Sequence, residues 1–282
     1  MSEKAYLDLM QKILDDGIET SDRTGVGTKS LFGETVKYSL ENNTIPLLTT
    51  KKMFLKGIIE ELLFFIRGET NTKLLEEKGV NIWKGNTSRE FLDKIGLHHY
   101  PEGEMGPNYG YQWRSFGSKE NPGKDQLKEC IELIKNDPSS RRMIVTAYNP
   151  NVTDQCVLYP CHMFFQFYVK NNELSCLFYQ RSCDYFLGKP FNITSYAILT
   201  HLLAKITGLK AKELIFTSGD THIYLNHLDQ AKEQLSREPF DFPQIKINKD
   251  IKSLEDIEQL TYEDFELVNY KCHPVIKAPM AV

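Results

Sequence analysis

Three strand-like runs in immediate succession, RRMIVTAY (141–148), MFFQFYV (163–169) and LSCLFYQR (174–181), are followed by the apolar stretch ITSYAILTHLLAKITG (193–208). Strands that follow one another, rather than alternating with helices, favour an α+β arrangement over a doubly wound fold. Asn171-Asn172 reads as the turn between the last two strands, and 193–208 as a buried helix. A strand at ELIFTS (213–218), a helix at LNHLDQAKEQL (225–235) and short strands near IKI and FELVNY complete the C-terminal half.

Upstream, Tyr6, Leu7, Met10, Ile13 and Leu14 recur at helical spacing up to a stop at Gly17. After the polar, glycine-bearing loop SDRTGVGT (21–28), Phe32, Val36, Tyr38 and Leu40 suggest a strand. FLKGIIEELLFFIR (54–67) is too long for a typical strand and ends at Gly68, so it reads as a mostly buried helix with two adjacent glutamates inside it. A second helix is expected over 72–78. Thr87 with Glu90 forms a T-x-x-E capping box to start a third across REFLDKI. Residues 96–124, rich in Gly, Pro, Asn and Lys, read as a long ordered loop, and Leu127, Cys130, Ile131 and Ile134 as a further helix. With no repeat, low-complexity stretch or linker, residues 1–282 are expected to form a single domain.

Hydrophobic residues make up 41% of the 282 positions, enough for a sizeable core. The formal net charge of −4 gives no general attraction for nucleic acid or an anionic membrane, so an anion site must be a local cluster of basic residues. The polar start of the chain does not resemble a signal peptide, and no apolar run approaches the roughly 18 to 20 residues of a membrane span. A cytoplasmic, reducing setting fits. The six cysteines (130, 156, 161, 176, 183, 272) show no CxxC and no spacing with histidines suited to zinc, so thiols are expected and no metal is indicated.

Cys161 enters a strand in YPCHMFFQFYV, between Pro160 and His162. Most cysteines are buried and inert, and His162 does little to single this one out, because neighbours in an extended chain point to opposite faces. Arg181 and Ser182 end the next strand and, across a hairpin, approach Cys161. Arg23, Arg141 and Arg142 are further candidate anion binders. Several guanidinium forks on one dianion would bind phosphate and favour the thiolate of a nearby cysteine. Asp184 and Asn192 flank GKPF, where turn chemistry or a helix cap is the simpler account. His222 and Tyr224 share one face of an extended segment and can both hydrogen-bond a hydroxyl-bearing ligand, though such a histidine is usually just a satisfied polar residue. Glu61 is an odd carboxylate in an apolar helix, where burial raises its pKa and suits it to proton relay, unless it snorkels outward.

Taken together, RTGVGT, EELLFFIRGETN, NIW, GPNYGYQWR, DPSSRR, YPCH, QRSCDYFLGKPFNI, GDTHIYLNH and the terminal AV occur in the order and approximate spacing of the thymidylate synthase family, which this chain resembles over essentially its whole length. It departs from the family pattern at Phe64, Lys84, Asn108, Ser115 and Tyr148; Lys84 and Asn108 bear on the cofactor pocket. The resemblance implies an α+β domain with a predominantly antiparallel or mixed sheet flanked by helices, and a homodimer whose sheets stack face to face. It implies methylation of deoxyuridylate (dUMP) with 5,10-methylenetetrahydrofolate, and no metal. Cys161 would add to C6 of uracil, and Asn192 would bind the N3 and O4 edge. Glu61, Tyr109 and His162 would support water-mediated proton transfers. Arg23, Arg181 and Ser182, with Arg141 and Arg142 from the partner subunit, would hold the phosphate, and His222 with Tyr224 the ribose. Ile82, Trp83, Asp184, Gly188 and Val282 would contact the folate. Competing readings are a deoxycytidylate hydroxymethylase, against which Asn192 argues, a cysteine hydrolase, for which no signature is present, and a non-enzymatic nucleotide or RNA binder.

Overall fold

The computed structural model describes residues 3–22, 25–117 and 123–279, so Arg23 and Val282 lie outside the described residues. In chain order the elements are α1 (Lys4–Asp16), β1 (Ile18–Thr20), β2 (Thr28–Ser39), α2 (Leu55–Ile66), α3 (Lys73–Glu76), α4 (Arg89–Lys94), α5 (Tyr109–Arg114) and α6 (Gln126–Asn136). There follow β3 (Ile144–Thr146), β4 (His162–Lys170), β5 (Glu173–Asp184), α7 (Gly188–Thr207), β6 (Lys210–Tyr224), α8 (Leu228–Leu235), β7 (Gln244–Ile247), α9 (Leu254–Glu258) and β8 (Phe265–Val268). The main sheet runs β1-β2-β6-β5-β4-β3, and β7 pairs with β8. All pairs are antiparallel except β5 with β6, which α7 joins as a crossover. This is the α+β architecture with a mixed sheet.

Period-two alternation in β5 buries Leu174, Cys176, Phe178 and Gln180, while Leu177 and Tyr179 stay partly exposed. The buried row, with Leu214 and Phe216 of β6, meets the apolar face of α7, which ends at Gly208 with φ +72°, a left-handed cap natural to glycine. On the opposite face Phe32, Ile144 and Tyr168 are exposed, Phe32 by 84%. Phe32 and Tyr179 converge over Gly219, where an added Cβ would lie 3.6 Å from the Phe32 ring and 2.8 Å from the Tyr179 hydroxyl. Among the described residues no helix is long and apolar enough to cross a membrane.

Several local expectations change. The loop read over 96–124 contains α5, because Gly110 serves close packing rather than a turn: a Cβ there would meet the Phe65 carbonyl oxygen at 2.7 Å and its Cα at 2.8 Å. The expected Thr87–Glu90 capping box does not form, and the helix is capped one residue later. Ser88 caps α4 by accepting from the Phe91 N–H, Glu90 is exposed, and Thr87 Oγ1 instead reaches Thr72 and the Trp83 carbonyl. The strand read over 141–148 shrinks to three residues, which leaves Arg141 and Arg142 outside it. β6 extends beyond ELIFTS through the polar GDTHIY, where Ser218 and Thr221 hydroxyls bond each other at 2.5 Å.

One buried cluster supports the start of α7. Lys189, fully buried, donates to the Tyr185 hydroxyl at 2.9 Å and stands 4.0 Å from the Tyr185 ring centroid and 4.4 Å from that of Phe216. Burial pushes its pKa down to about 7. Lys51, likewise pushed down to about 7 by burial, donates to the Phe186 carbonyl and lies 3.6 Å over that ring. Two lysines therefore grip adjacent rings of the Asp184 turn.

Candidate active site

The C-terminal ends of the parallel strands β5 and β6 lie side by side, and the entrance of antiparallel β4 lies at the same end. Parallel strand ends are where loops diverge and a ligand crevice forms. Cys161, just before β4, is partly exposed and carries a thiol, as do the other five cysteines. Its backbone is fixed from two sides. The Cys161 N–H donates to the Tyr109 hydroxyl at 2.7 Å, and its carbonyl accepts from the Arg181 N–H at 2.8 Å. Arg181 also donates through Nε to the Pro160 carbonyl (3.0 Å) and through Nη2 to the Tyr159 carbonyl (2.8 Å), so its side chain straps the cysteine turn through two of its three nitrogens.

His162 points into the core, as alternation requires. Its Nδ1 lies 2.8 Å from the Tyr196 hydroxyl, and its ring stacks on Tyr109 at 3.9 Å. Burial pushes its pKa down to about 3, so it is neutral at ordinary pH. Glu60, the other glutamate of α2, pairs with Lys78 at 2.6 Å. Glu61 instead accepts from Trp83 Nε1 at 2.7 Å. Although Glu61 is only partly covered, desolvation of its carboxyl pushes its pKa up to about 7, opposed by the Trp83 bond. Trp83 in turn faces the Tyr109 ring at 6.2 Å.

Asn192 is not a helix cap, since α7 begins at Gly188 and carries Asn192 in its second turn. Its Nδ2 donates to Gln180 Oε1 at 3.0 Å, while Gln180 Nε2 donates to the Ser182 carbonyl at 3.0 Å. A backbone carbonyl thus orients one amide, and that amide orients the next. Gln180 was not singled out in the sequence. Its signal was the alternation Cys176, Phe178, Gln180, which puts a polar side chain on the buried face of β5.

Asp184 does show the turn chemistry: its Oδ1 accepts from the Phe186 and Leu187 N–H groups, both at 3.1 Å. Oδ2 takes no part in that turn. Gly188 borders open space, because an added Cβ would meet only the Asp184 Cβ, at 3.6 Å. Ile82 and Trp83 are both partly exposed. An aromatic ring system with hydrogen-bonding edges fits such a set of groups. Asn108 caps α5 by accepting from the Tyr109 N–H and also donates to the Leu158 carbonyl at 2.9 Å, so it supports the site from behind. Lys84 is exposed, 4.0 Å from Glu76.

His222 pairs with Asp184 across β5–β6 and holds Asp220 at 2.6 Å; its ring meets Tyr224 edge-on at 5.2 Å. The strands thus bring Cys161, Arg181, Ser182, Asp184, His222 and Tyr224 to one sheet end. Arg141 and Arg142 are exposed and precede β3, beside Gln166 of β4 and away from the Cys161 end of that strand. No group of three or more His, Cys, Asp or Glu suited to a metal occurs among the described residues.

The sequence model of thymidylate synthase matches residues 4–282. A bifunctional dihydrofolate reductase-thymidylate synthase of Paramecium tetraurelia is 53% identical over 99% of this chain, which spans 61% of that longer protein. A thymidylate synthase of Candida albicans is 48% identical, with 100% of this chain and 98% of the relative covered. One from Saccharomyces cerevisiae is 49% identical, with 99% and 97% covered. With a match that takes in nearly every residue from α1 to the C-terminal segment, the chain belongs to the thymidylate synthase family.

Proposed function

We infer that this chain performs the reaction of its family, the reductive methylation of dUMP to dTMP with 5,10-methylenetetrahydrofolate, through a covalent bond from Cys161 to C6 of the uracil ring. It is a methyltransferase, and residues 1–282 act as one domain. The observation that carries the assignment of the base is the oriented amide chain from the Ser182 carbonyl through Gln180 to Asn192. With one Nδ2 hydrogen committed to Gln180, Asn192 offers its other N–H and its Oδ1 as a donor beside an acceptor. Uracil requires that pair, because O4 accepts and N3–H donates. Cytosine presents the reverse, and turning the Asn192 amide to match it would set two carbonyl oxygens against each other. This supports deoxyuridylate over deoxycytidylate.

The Cys161 thiolate adds to C6, and the displaced π electrons make C5 nucleophilic with charge shared onto O4, where the Asn192 N–H stabilises it. Glu61, with a pKa near 7, exchanges protons with water near O4, and Tyr109 supports loss of the C5 proton through water. Neutral His162 holds Tyr109 by stacking rather than serving as the base. Arg181, Ser182 and Arg23 bind the phosphate, and His222 with Tyr224 binds the ribose, so remote binding energy positions the ring for attack. Ile82, Trp83, Asp184, Gly188 and Val282 hold the folate, which supplies the one-carbon unit and the hydride when bound.

The chain acts as a homodimer through the open sheet face. Support comes from the exposed Phe32, Ile144 and Tyr168, and from the position of the arginine pair. The Arg141 carbonyl accepts from Gln166 Nε2 at 3.5 Å, close to that face, which supports a role for the pair in the phosphate site of a partner subunit. The test is covalent capture of 5-fluorodeoxyuridylate followed by mass spectrometry, alongside absorbance-monitored dihydrofolate formation. An adduct on Cys161 that needs the folate supports the reading, and no adduct in the presence of both ligands overturns it.

A further inference from the structure

The other end of α7 borders a second concavity. A cleft of about 520 Å³ lies between the C-terminal turns of α7, the start of β6, the turn Glu41–Asn43 and β7. That volume falls within the range of small-molecule sites, about 300 to 1,000 Å³. At a rise of 1.5 Å per residue, Asn192 and Lys205 stand about 20 Å apart along the helix, so the cleft is separate from the candidate active site.

Its floor is apolar and its rim cationic. Leu40, Ala204 and Ile245 are buried beneath it, whereas Lys205, Lys210 and Lys246 line it as exposed side chains. Among the described residues no carboxylate lines it: Glu41 is paired with Lys212, and Glu266 with Lys246 at 3.1 Å. A lysine in the last turn of a helix is ordinarily explained by the negative end of the helix dipole, and Lys205 fits that account, donating to the carbonyls of Ile247 (3.1 Å) and Lys249 (3.0 Å). Lys210 and Lys246 come from other elements, and Lys210 has no ion pair among the described residues.

One wall is preformed. Asn42 and Asn43 both hold left-handed backbone, φ +56° and +61°, which asparagine tolerates better than most residues. The Thr44 N–H bonds the Glu41 carbonyl at 3.1 Å and the Leu40 N–H the Lys212 carbonyl at 2.9 Å, which pins this turn at both ends. His201, more than nine-tenths buried, also lines the cleft. Its Nε2 lies 2.9 Å from the Thr44 carbonyl, which only accepts, so Nε2 carries the proton and Nδ1 is the accepting side of the ring. Burial lowers its pKa, so the ring is neutral at ordinary pH.

We propose that this cleft is a second ligand site, for a small aromatic anion that also carries an N–H or O–H donor. The apolar body covers Leu40, Ala204 and Ile245, the anionic group meets Lys210 and Lys246, and the donor bonds His201 Nδ1.

The probe is toluidinonaphthalenesulfonate, which has an N–H and a sulfonate on opposite rings of its naphthalene. Tolylnaphthylamine, its sulfonate-free analogue, serves as the neutral control. Fluorescence titration of the full chain at low salt, with soaked crystals to locate the probe, should show one saturable molecule per chain in the cleft. The double variant Lys210→Glu, Lys246→Glu should bind the sulfonate about tenfold more weakly, as two exposed attractions become repulsions, with its melting temperature and its affinity for the neutral analogue unchanged. Lys210→Gln, a milder change that carries the test if the double variant fails to fold, should weaken sulfonate binding about two- to threefold. Raising the ionic strength to about 0.5 M should weaken the sulfonate and spare the neutral analogue. Absence of the probe from the cleft, equal affinity for the charged and neutral compounds, or unchanged sulfonate binding by Lys210→Gln would each overturn the proposal.

Discussion

Replacing Lys189 by methionine tests how the buried cluster under α7 is held. The side chain is fully buried, with its pKa lowered to about 7 by desolvation, against about 10.4 for a lysine in an unfolded chain. Between those values the unfolded state binds more protons than the folded state, so the stability contributed at this site rises with pH across that window. Below about pH 7 the penalty is fully present, and toward pH 10.4 it disappears. At roughly 1.4 kcal/mol per unit, the penalty at pH 7 is about 4 kcal/mol, and at pH 9.5 about 1 kcal/mol. Methionine has similar length, and the Tyr185 hydroxyl keeps its 2.8 Å bond to the Tyr6 carbonyl, so no donor is orphaned. Losing the cation contacts with Tyr185 and Phe216 returns roughly 1 to 2 kcal/mol. Lys189→Met should therefore stabilise the protein by about 2 to 3 kcal/mol at pH 7 and clearly less at pH 9.5, read from urea unfolding at fixed protein concentration. A gain of equal size at both pH values, or a loss at pH 7, would refute the reasoning.

Glu61→Gln should cut turnover severely yet stabilise the fold above pH 7: a carboxyl raised to about 7 loses stability as pH climbs from about 4.5 to 7, and an amide has no such loss. Thermal melts at pH 4.5 and 8 check this, and an identical shift at both would contradict it. Asn192→Asp should move preference toward deoxycytidylate, because a protonated carboxyl donates to N3 and accepts from the 4-amino group; unchanged preference for uracil in competition kinetics would remove Asn192 from base reading. Cys161→Ala and Arg142→Glu homodimers should each be nearly inactive, and refolding the two together should restore substantial activity, since a mixed dimer holds one site with both native groups. Mixed dimers that form by mass spectrometry and stay inactive would place the arginines on their own subunit's phosphate.

The sheet was legible in the sequence where one face is buried, because alternation in LSCLFYQR is a direct record of burial. It was less legible at GDTHIY. There β6 is flanked on both sides and its inward groups are polar, satisfied by hydroxyl pairs rather than marked by hydrophobicity. α5 stayed hidden because glycine at 110 signals a turn to any reader who cannot see Phe65 beneath it. Among the site residues, those that carry chemistry themselves stood out by type: a cysteine at a strand entrance, arginines in groups, a carboxylate in an apolar helix. The residues that orient them did not. Gln180 and Tyr196 each act through a partner distant in sequence, so nothing local distinguishes them from ordinary polar side chains.

The place of β6 between β2 and β5 also bears on how the chain is made. A ribosome delivers β2 long before β6 and β5 just one helix before it, and neither has its inner neighbour until β6 has emerged. A nascent chain halted before that point carries two long strands with open backbone edges, the usual nuclei of edge-to-edge aggregation. Closing the sheet then requires the last strand to insert between two already formed, a step of high contact order and slow rate. Cells that pause or truncate this message upstream of β6 would produce fragments that chaperones must hold, rather than smaller folded proteins.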